Sequence, residues 1–85
     1  MEFVVVAFRS RAHTVKFAEV LRQNGISAEI INTPKEAGVG CGLSVKVAKT
    51  LFPTVKRAVF SVGLSSFAGF FLVTVIGGKR LVKTI

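Results

Sequence analysis

From Phe3 to Phe8 the chain has no polar position: Phe3-Val4-Val5-Val6-Ala7-Phe8 is continuously apolar and rich in β-branched residues. A run without alternation predicts a strand buried on both faces, at the centre of a sheet. The period then changes. After Ser10, apolar residues recur at Ala12, Val15, Ala18 and Leu21, widened by Phe17 and Val20, with Lys16, Glu19, Arg22 and Gln23 on the other side. This predicts an amphipathic helix capped by Ser10 and ended by Asn24-Gly25, where glycine is free to take a positive φ.

Alternation returns at Ile26-Ser27-Ala28-Glu29-Ile30, a half-buried strand, and stops through Ile31-Asn32-Thr33-Pro34 because Pro34 has no N–H for a ladder. Lys35 to Gly42 reads as a loop, with Gly38, Gly40 and Gly42 around Cys41. Leu43-Ser44-Val45-Lys46-Val47 alternates as a third strand. Phe52-Pro53 begins a second helix, with Pro53 in its first turn, Val55, Ala58, Val59 and Val62 as its buried stripe, and Gly63 as its end. Gly69 to Ile76 is a fourth strand, apolar on both faces; Gly77-Gly78 is a two-residue turn, and Lys79 to Ile85 a charged edge strand.

The order β-α-β-β-α-β with a trailing strand predicts an α+β fold, a ferredoxin-like sandwich with a trailing C-terminal β-hairpin strand. In that layout the first and third strands are central and both helices cover one face. The apolar fourth strand then needs cover on its second face, from the trailing hairpin or from a partner subunit in a homodimer. The 85 residues suffice for a single domain, 1–85. The uncharged stretch from Ala58 to Gly78 is long enough to span a bilayer, but Gly63, Gly69, Ser61, Ser65 and Ser66 interrupt it, and no membrane span is expected.

Charge narrows the partners. Twelve Lys and Arg against four acids give +8, a field that favours nucleic acid, acidic proteins or other anions. One cysteine cannot form an internal disulfide, and one Cys with one His falls short of a zinc set. No metal and no cofactor are expected, and a reducing, cytoplasmic location fits. The N-terminus lacks the basic segment of a signal peptide. The acids Glu2, Glu19, Glu29 and Glu36 are scattered, without a pair for acid–base work.

The cysteine loop is the remaining chemical handle. A thiol attacks only as thiolate, and its pKa of about 8.5 falls near positive charge. Lys35 and Lys46 lie close in sequence, and the glycines let the loop approach another surface. Such a thiolate suits handing a group between proteins more than turnover, since no base or oxyanion partner is evident. The bland alternative is a core cysteine. His13 is not placed near Cys41 by the sequence, and Arg9 and Arg11 read as a solvated basic turn at a helix start, which could otherwise bind an anion. Gly77-Gly78-Lys79 lacks the spacing of a phosphate loop.

Phe8-Arg9-Ser10 follows the first strand, Gly25-Ile26 precedes a strand ending in Thr33-Pro34, and Cys41-Gly42-Leu43 opens the next strand. In these three places the chain resembles the selenium/sulfur carrier-like proteins. The resemblance implies that Cys41 is the carrier residue, loaded as a persulfide or selenopersulfide by a donor such as a cysteine desulfurase and relieved by an acceptor protein. It also places the family's Thr-Pro turn on Thr33 and Pro34. Gly40 departs from the serine often found before the cysteine in that family, which removes a hydroxyl that could assist the thiol. The expected site is Cys41 with Thr33, Pro34, Lys35, Gly40, Gly42 and Lys46 around it, acting as a carrier rather than as an enzyme. The alternative is a basic binding module for RNA or an acidic protein, using Lys46, Lys49, Lys56 and Arg57, with Cys41 in the core. Against RNA, Phe70 and Phe71 sit among apolar neighbours that argue for burial rather than for display to bases.

Overall fold

A computed structural model describes residues 1–85. Its strands are β1 (Glu2–Phe8), β2 (Glu29–Asn32), β3 (Leu43–Ala48), β4 (Phe67–Ile76) and β5 (Lys79–Thr84); its helices are α1 (Arg11–Gln23) and α2 (Phe52–Val62). Short 3-10 turns occupy Lys35–Ala37 and Lys49–Leu51. The strands form one antiparallel sheet in the order β2-β3-β1-β4-β5. This is an α+β, ferredoxin-like arrangement with β5 added beside β4. The segment 58–78 divides into the end of α2, a turn and β4, and no helix is long and apolar enough to cross a membrane.

The central strand has two buried faces, as its unbroken apolar run requires. Val4, Val6 and Phe8 lie under the helices with Phe17, Ala18, Leu21, Val45, Val55, Val59 and Phe70. Val5 and Ala7 point to the opposite face, beside Phe71 and Val73. The chain itself supplies cover there. Val82 of β5 and Ala37 and Val39 of the loop after β2 pack against that second cluster. Arg80 of β5 holds the loop down through a two-pronged ion pair with Glu36, at 2.8 and 3.0 Å.

Three local expectations shift. In α1 the buried residues are Thr14, Phe17, Ala18 and Leu21, whereas Val15 is exposed. These are the positions i, i+3, i+4 and i+7 of one helix face, and the face includes a polar residue that an apolar pattern passes over. Thr14 tolerates burial because its hydroxyl donates back to the Ser10 carbonyl, at 3.2 Å. The second strand begins at Glu29 rather than at Ile26. The Ile26 amide bonds to the Leu21 carbonyl, and the Arg22 guanidinium takes the Ala28 carbonyl at 2.9 and 3.1 Å, so this stretch is tied to α1 before the ladder starts. Finally, β4 begins at Phe67, two residues before Gly69, across a bulge opposite Ala7 and Phe8. The expected boundaries of α1, α2 and the Gly77-Gly78 turn hold: Ser10 Oγ accepts the His13 amide, and Gly25 and Gly63 take φ of 75° and 67°.

Candidate functional site

The bulge marks the end of the sheet where Cys41 and the other candidate residues near it gather. As β1 finishes, its last carbonyl, on Phe8, accepts the Cys41 amide at 3.1 Å, and the next amide, on Arg9, donates to the Ser66 carbonyl at 2.8 Å. The cysteine loop therefore flanks one side of β1, and the start of β4 flanks the other. Close approach to Phe8 depends on Gly40, which has a φ of 98° and where a Cβ would stand 3.2 Å from the Phe8 carbonyl oxygen. A side chain here would meet both a crowded backbone and a conformation that L-residues rarely adopt. Gly42 has a φ of 94°, and its carbonyl accepts the Thr33 amide at 2.9 Å, closing the loop at its base.

Cys41 is half-buried and belongs to neither apolar cluster. Its sulfur contacts α1 and the start of β3. Thr14 Oγ1 lies 3.7 Å from Sγ, and the Leu43 carbonyl lies 3.6 Å from it. Thr14 has one hydroxyl proton and three acceptors within reach: the Ser10 carbonyl, the Leu43 carbonyl at 3.3 Å, and the sulfur. While Cys41 is a thiol, S–H donates to the Leu43 carbonyl and Thr14 bonds to backbone. A thiolate can only accept, so with the sulfur ionised the donor at the Thr14–Cys41 contact is the Thr14 hydroxyl. Burial pushes the Cys41 thiol up, but hydrogen bonding at the Leu43 backbone, the Thr14 hydroxyl, the Cys41 backbone and the Arg11 charge together hold it below the usual thiol value.

The residues expected around the cysteine divide into two groups. Thr33, Pro34, Lys35, Gly40 and Gly42 are brought together, lining a shallow open depression of about 250 Å³ with Gly38 and Val39; Cys41 itself does not line it. Thr33 Oγ1 and Ser44 Oγ are 2.6 Å apart there, and Pro34 is buried. Lys46 stands apart. Its register partner in β1 is Val5, on the face away from the helices, and its ammonium sits 4.4 Å above the Phe3 ring near the far end of that strand. The charge that acts on Cys41 comes instead from Arg11.

Arg11 and Thr14 are the contributors that sequence spacing does not expose. In the sequence Arg11 reads as part of a basic turn at a helix start, solvated or anion-binding, and Thr14 falls outside the apolar stripe. The available signal is that a threonine four residues after an N-cap falls on the buried stripe once the helix phase is fixed. His13 is engaged elsewhere: its Nδ1 lies 2.6 Å from Ser66 Oγ, which also accepts the Ser10 amide at 3.2 Å. No group of three or more His, Cys, Asp or Glu is arranged to hold a metal.

Comparison with known proteins returns one family. The model of the family described as "Putative Se/S carrier protein-like" matches residues 3–65, from β1 through α2, and includes the whole cysteine loop. Nothing among the curated proteins or the solved structures matches the chain significantly. The matched span covers well over half of the sequence and carries Thr33-Pro34 and Cys41-Gly42-Leu43 in the geometry described above, and on that basis the chain belongs to the Se/S carrier protein-like family.

Proposed function

We propose that the chain, acting as a single domain in a reducing compartment such as the cytoplasm, carries sulfur or selenium on Cys41 between a donor protein and an acceptor protein. The observation that supports this most is the setting of the thiol: half-exposed at a loop end, outside both apolar clusters, with its pKa held down. A core cysteine has none of these features.

The transfer needs one thiolate and no oxidant. Cys41 attacks the terminal sulfur of a persulfide on the donor, R–S–SH. A new S–S bond forms at Cys41 while the donor S–S bond breaks, and the donor sulfur leaves as thiolate. The terminal sulfur now sits on Cys41, and an acceptor thiolate removes it by the same step in reverse sense, returning Cys41 as thiolate. Selenium in place of the terminal sulfur leaves the balance unchanged. The Thr14 hydroxyl serves both ends of the cycle, because Cys41 must be a good nucleophile on loading and a good leaving group on release. Lys35, on the exposed loop beside Pro34, and Arg11, beside the sulfur, provide positive charge for an approaching anionic persulfide.

Loading tests the reading. A cysteine desulfurase with radiolabelled cysteine is incubated with the wild-type chain and with Cys41→Ser. Label that transfers to the wild type alone, and that a reductant removes, supports a carrier. A folded wild-type chain that takes up no label, with a thiol that resists alkylation until unfolded, points to a structural cysteine.

A further inference from the structure

The edge of the sheet at β5 offers a second, chemically distinct surface. The Ile85 amide donates to the Phe70 carbonyl at 3.1 Å. In an antiparallel ladder inward and outward bonding alternate, so residues 79, 81, 83 and 85 bond towards β4, and Arg80, Val82 and Thr84 turn their N–H and C=O groups to the open edge. The side chains follow the same alternation. Lys79, Leu81 and Lys83 share the face of Ile76, Thr74 and Leu72. Leu81 is 66% exposed, and Ile85 beyond it is 42% exposed.

The two lysines on this edge have no internal acidic partner. Glu2 is bound to Lys49 and Glu36 to Arg80, and neither Lys79 nor Lys83 has an acidic partner. Lys56 adds to the field from α2, its ammonium 5.9 Å from the Phe52 ring, which packs against Phe70 at 5.2 Å. Lysines on an edge commonly guard against pairing with a second copy. Here they do so directly, since β5 set antiparallel against another β5 about Leu81 brings Lys79 opposite Lys83. The same pattern admits a strand of opposite charge.

We propose that β5 docks an extended acidic segment of a partner protein by strand addition, the segment carrying acid–x–apolar–x–acid opposite Lys79, Leu81 and Lys83. Residues directly opposite across an antiparallel pair stand roughly 5 Å apart, within reach for both carboxylate–lysine pairs and for an apolar contact on Leu81. Backbone bonds to Arg80, Val82 and Thr84 supply affinity, and the alternate side chains supply selection. The inference stands independently of sulfur chemistry at Cys41. It also places the docked segment beside Arg80, one ion pair from the loop that carries Cys41.

The test titrates the full isotope-labelled chain with a short synthetic peptide bearing glutamates two residues either side of a central leucine, at low salt, and follows backbone amides by NMR. The expected result is that the Arg80, Val82 and Thr84 amides shift and become protected from exchange. The doubly reversed variant Lys79→Glu with Lys83→Glu, both surface changes, binds at least about tenfold more weakly. Val82→Pro removes an outward N–H and binds less without losing circular dichroism. Several results overturn the proposal: no binding, shifts centred elsewhere, equal binding of a peptide with lysine in place of glutamate, or undiminished binding by the charge-reversed variant. A wild-type dimer that Val82→Pro dissolves makes the occupant a second copy. An RNA oligonucleotide that moves the same amides more tightly than the peptide makes it nucleic acid.

Discussion

Thr14→Val keeps the shape of a fully buried side chain and removes only its hydroxyl. Two consequences follow, and they separate structure from chemistry. For stability, the hydroxyl donates to the Ser10 or Leu43 carbonyl, at 3.2 and 3.3 Å. Ser10 also accepts the Thr14 amide, at 3.0 Å, so it keeps a partner. The loss is then close to one net hydrogen bond, about 1 kcal/mol. For a domain of this size that lowers Tm by roughly 4–8 °C. For chemistry, the thiolate of Cys41 loses the side-chain donor that helps hold its pKa down, so the pKa rises and less thiolate is present at neutral pH. The assay is the rate of Cys41 alkylation by iodoacetamide against pH, with Tm measured alongside. The midpoint of the profile moves to higher pH in the variant. A midpoint that stays or falls refutes the role of Thr14 at the sulfur, even if Tm drops as expected.

Arg11→Ala raises the midpoint of the same alkylation profile, and added salt narrows the difference from wild type, because Arg11 acts on Cys41 through charge. Gly40→Ala lowers stability by roughly 1–3 kcal/mol in denaturant unfolding, since its Cβ meets the Phe8 carbonyl at a φ of 98°. The Glu36 carboxyl is held below the usual carboxylate range by its hydrogen bonds with Arg80. A depressed carboxylate contributes stability above its unfolded pKa and loses it as pH falls through the folded value. Hydrogen exchange at the Ala37 and Gly38 amides, which bond only to Pro34 and Lys35 carbonyls, therefore quickens relative to the rest of the chain at acid pH, and Glu36→Gln shows the same quickening at neutral pH.

The hydrophobic pattern reveals the ladder of elements because each strand and helix here answers to a different period. The continuous run at Val4 to Phe8 demands two covered faces, and the structure provides them. What the pattern leaves hidden are side chains whose roles depend on phase and on long-range approach. Thr14 is 27 residues from Cys41 along the chain and joins it only because α1 packs across the start of β3. Lys46 is near Cys41 in sequence, yet β3 carries it along the sheet, and pleat alternation turns it to the face away from the helices. The Glu36–Arg80 pair spans 44 residues and ties two segments that sequence reading treats as unrelated. The loop glycines, by contrast, are legible individually: Gly40 and Gly42 both take a positive φ, which residue type alone anticipates.

The central claim is that Cys41 both receives a chalcogen atom and gives it up. The most direct measurement is the intact mass of the chain, first after loading by a cysteine desulfurase, then after purification from the donor and mixing with an acceptor protein that bears a reduced thiol. The account predicts a gain of one sulfur atom, absent in Cys41→Ser, that disappears on mixing as the acceptor gains the same mass. A chain that never gains the atom, or that gains it and keeps it in the presence of the acceptor until a strong reductant is added, contradicts the account.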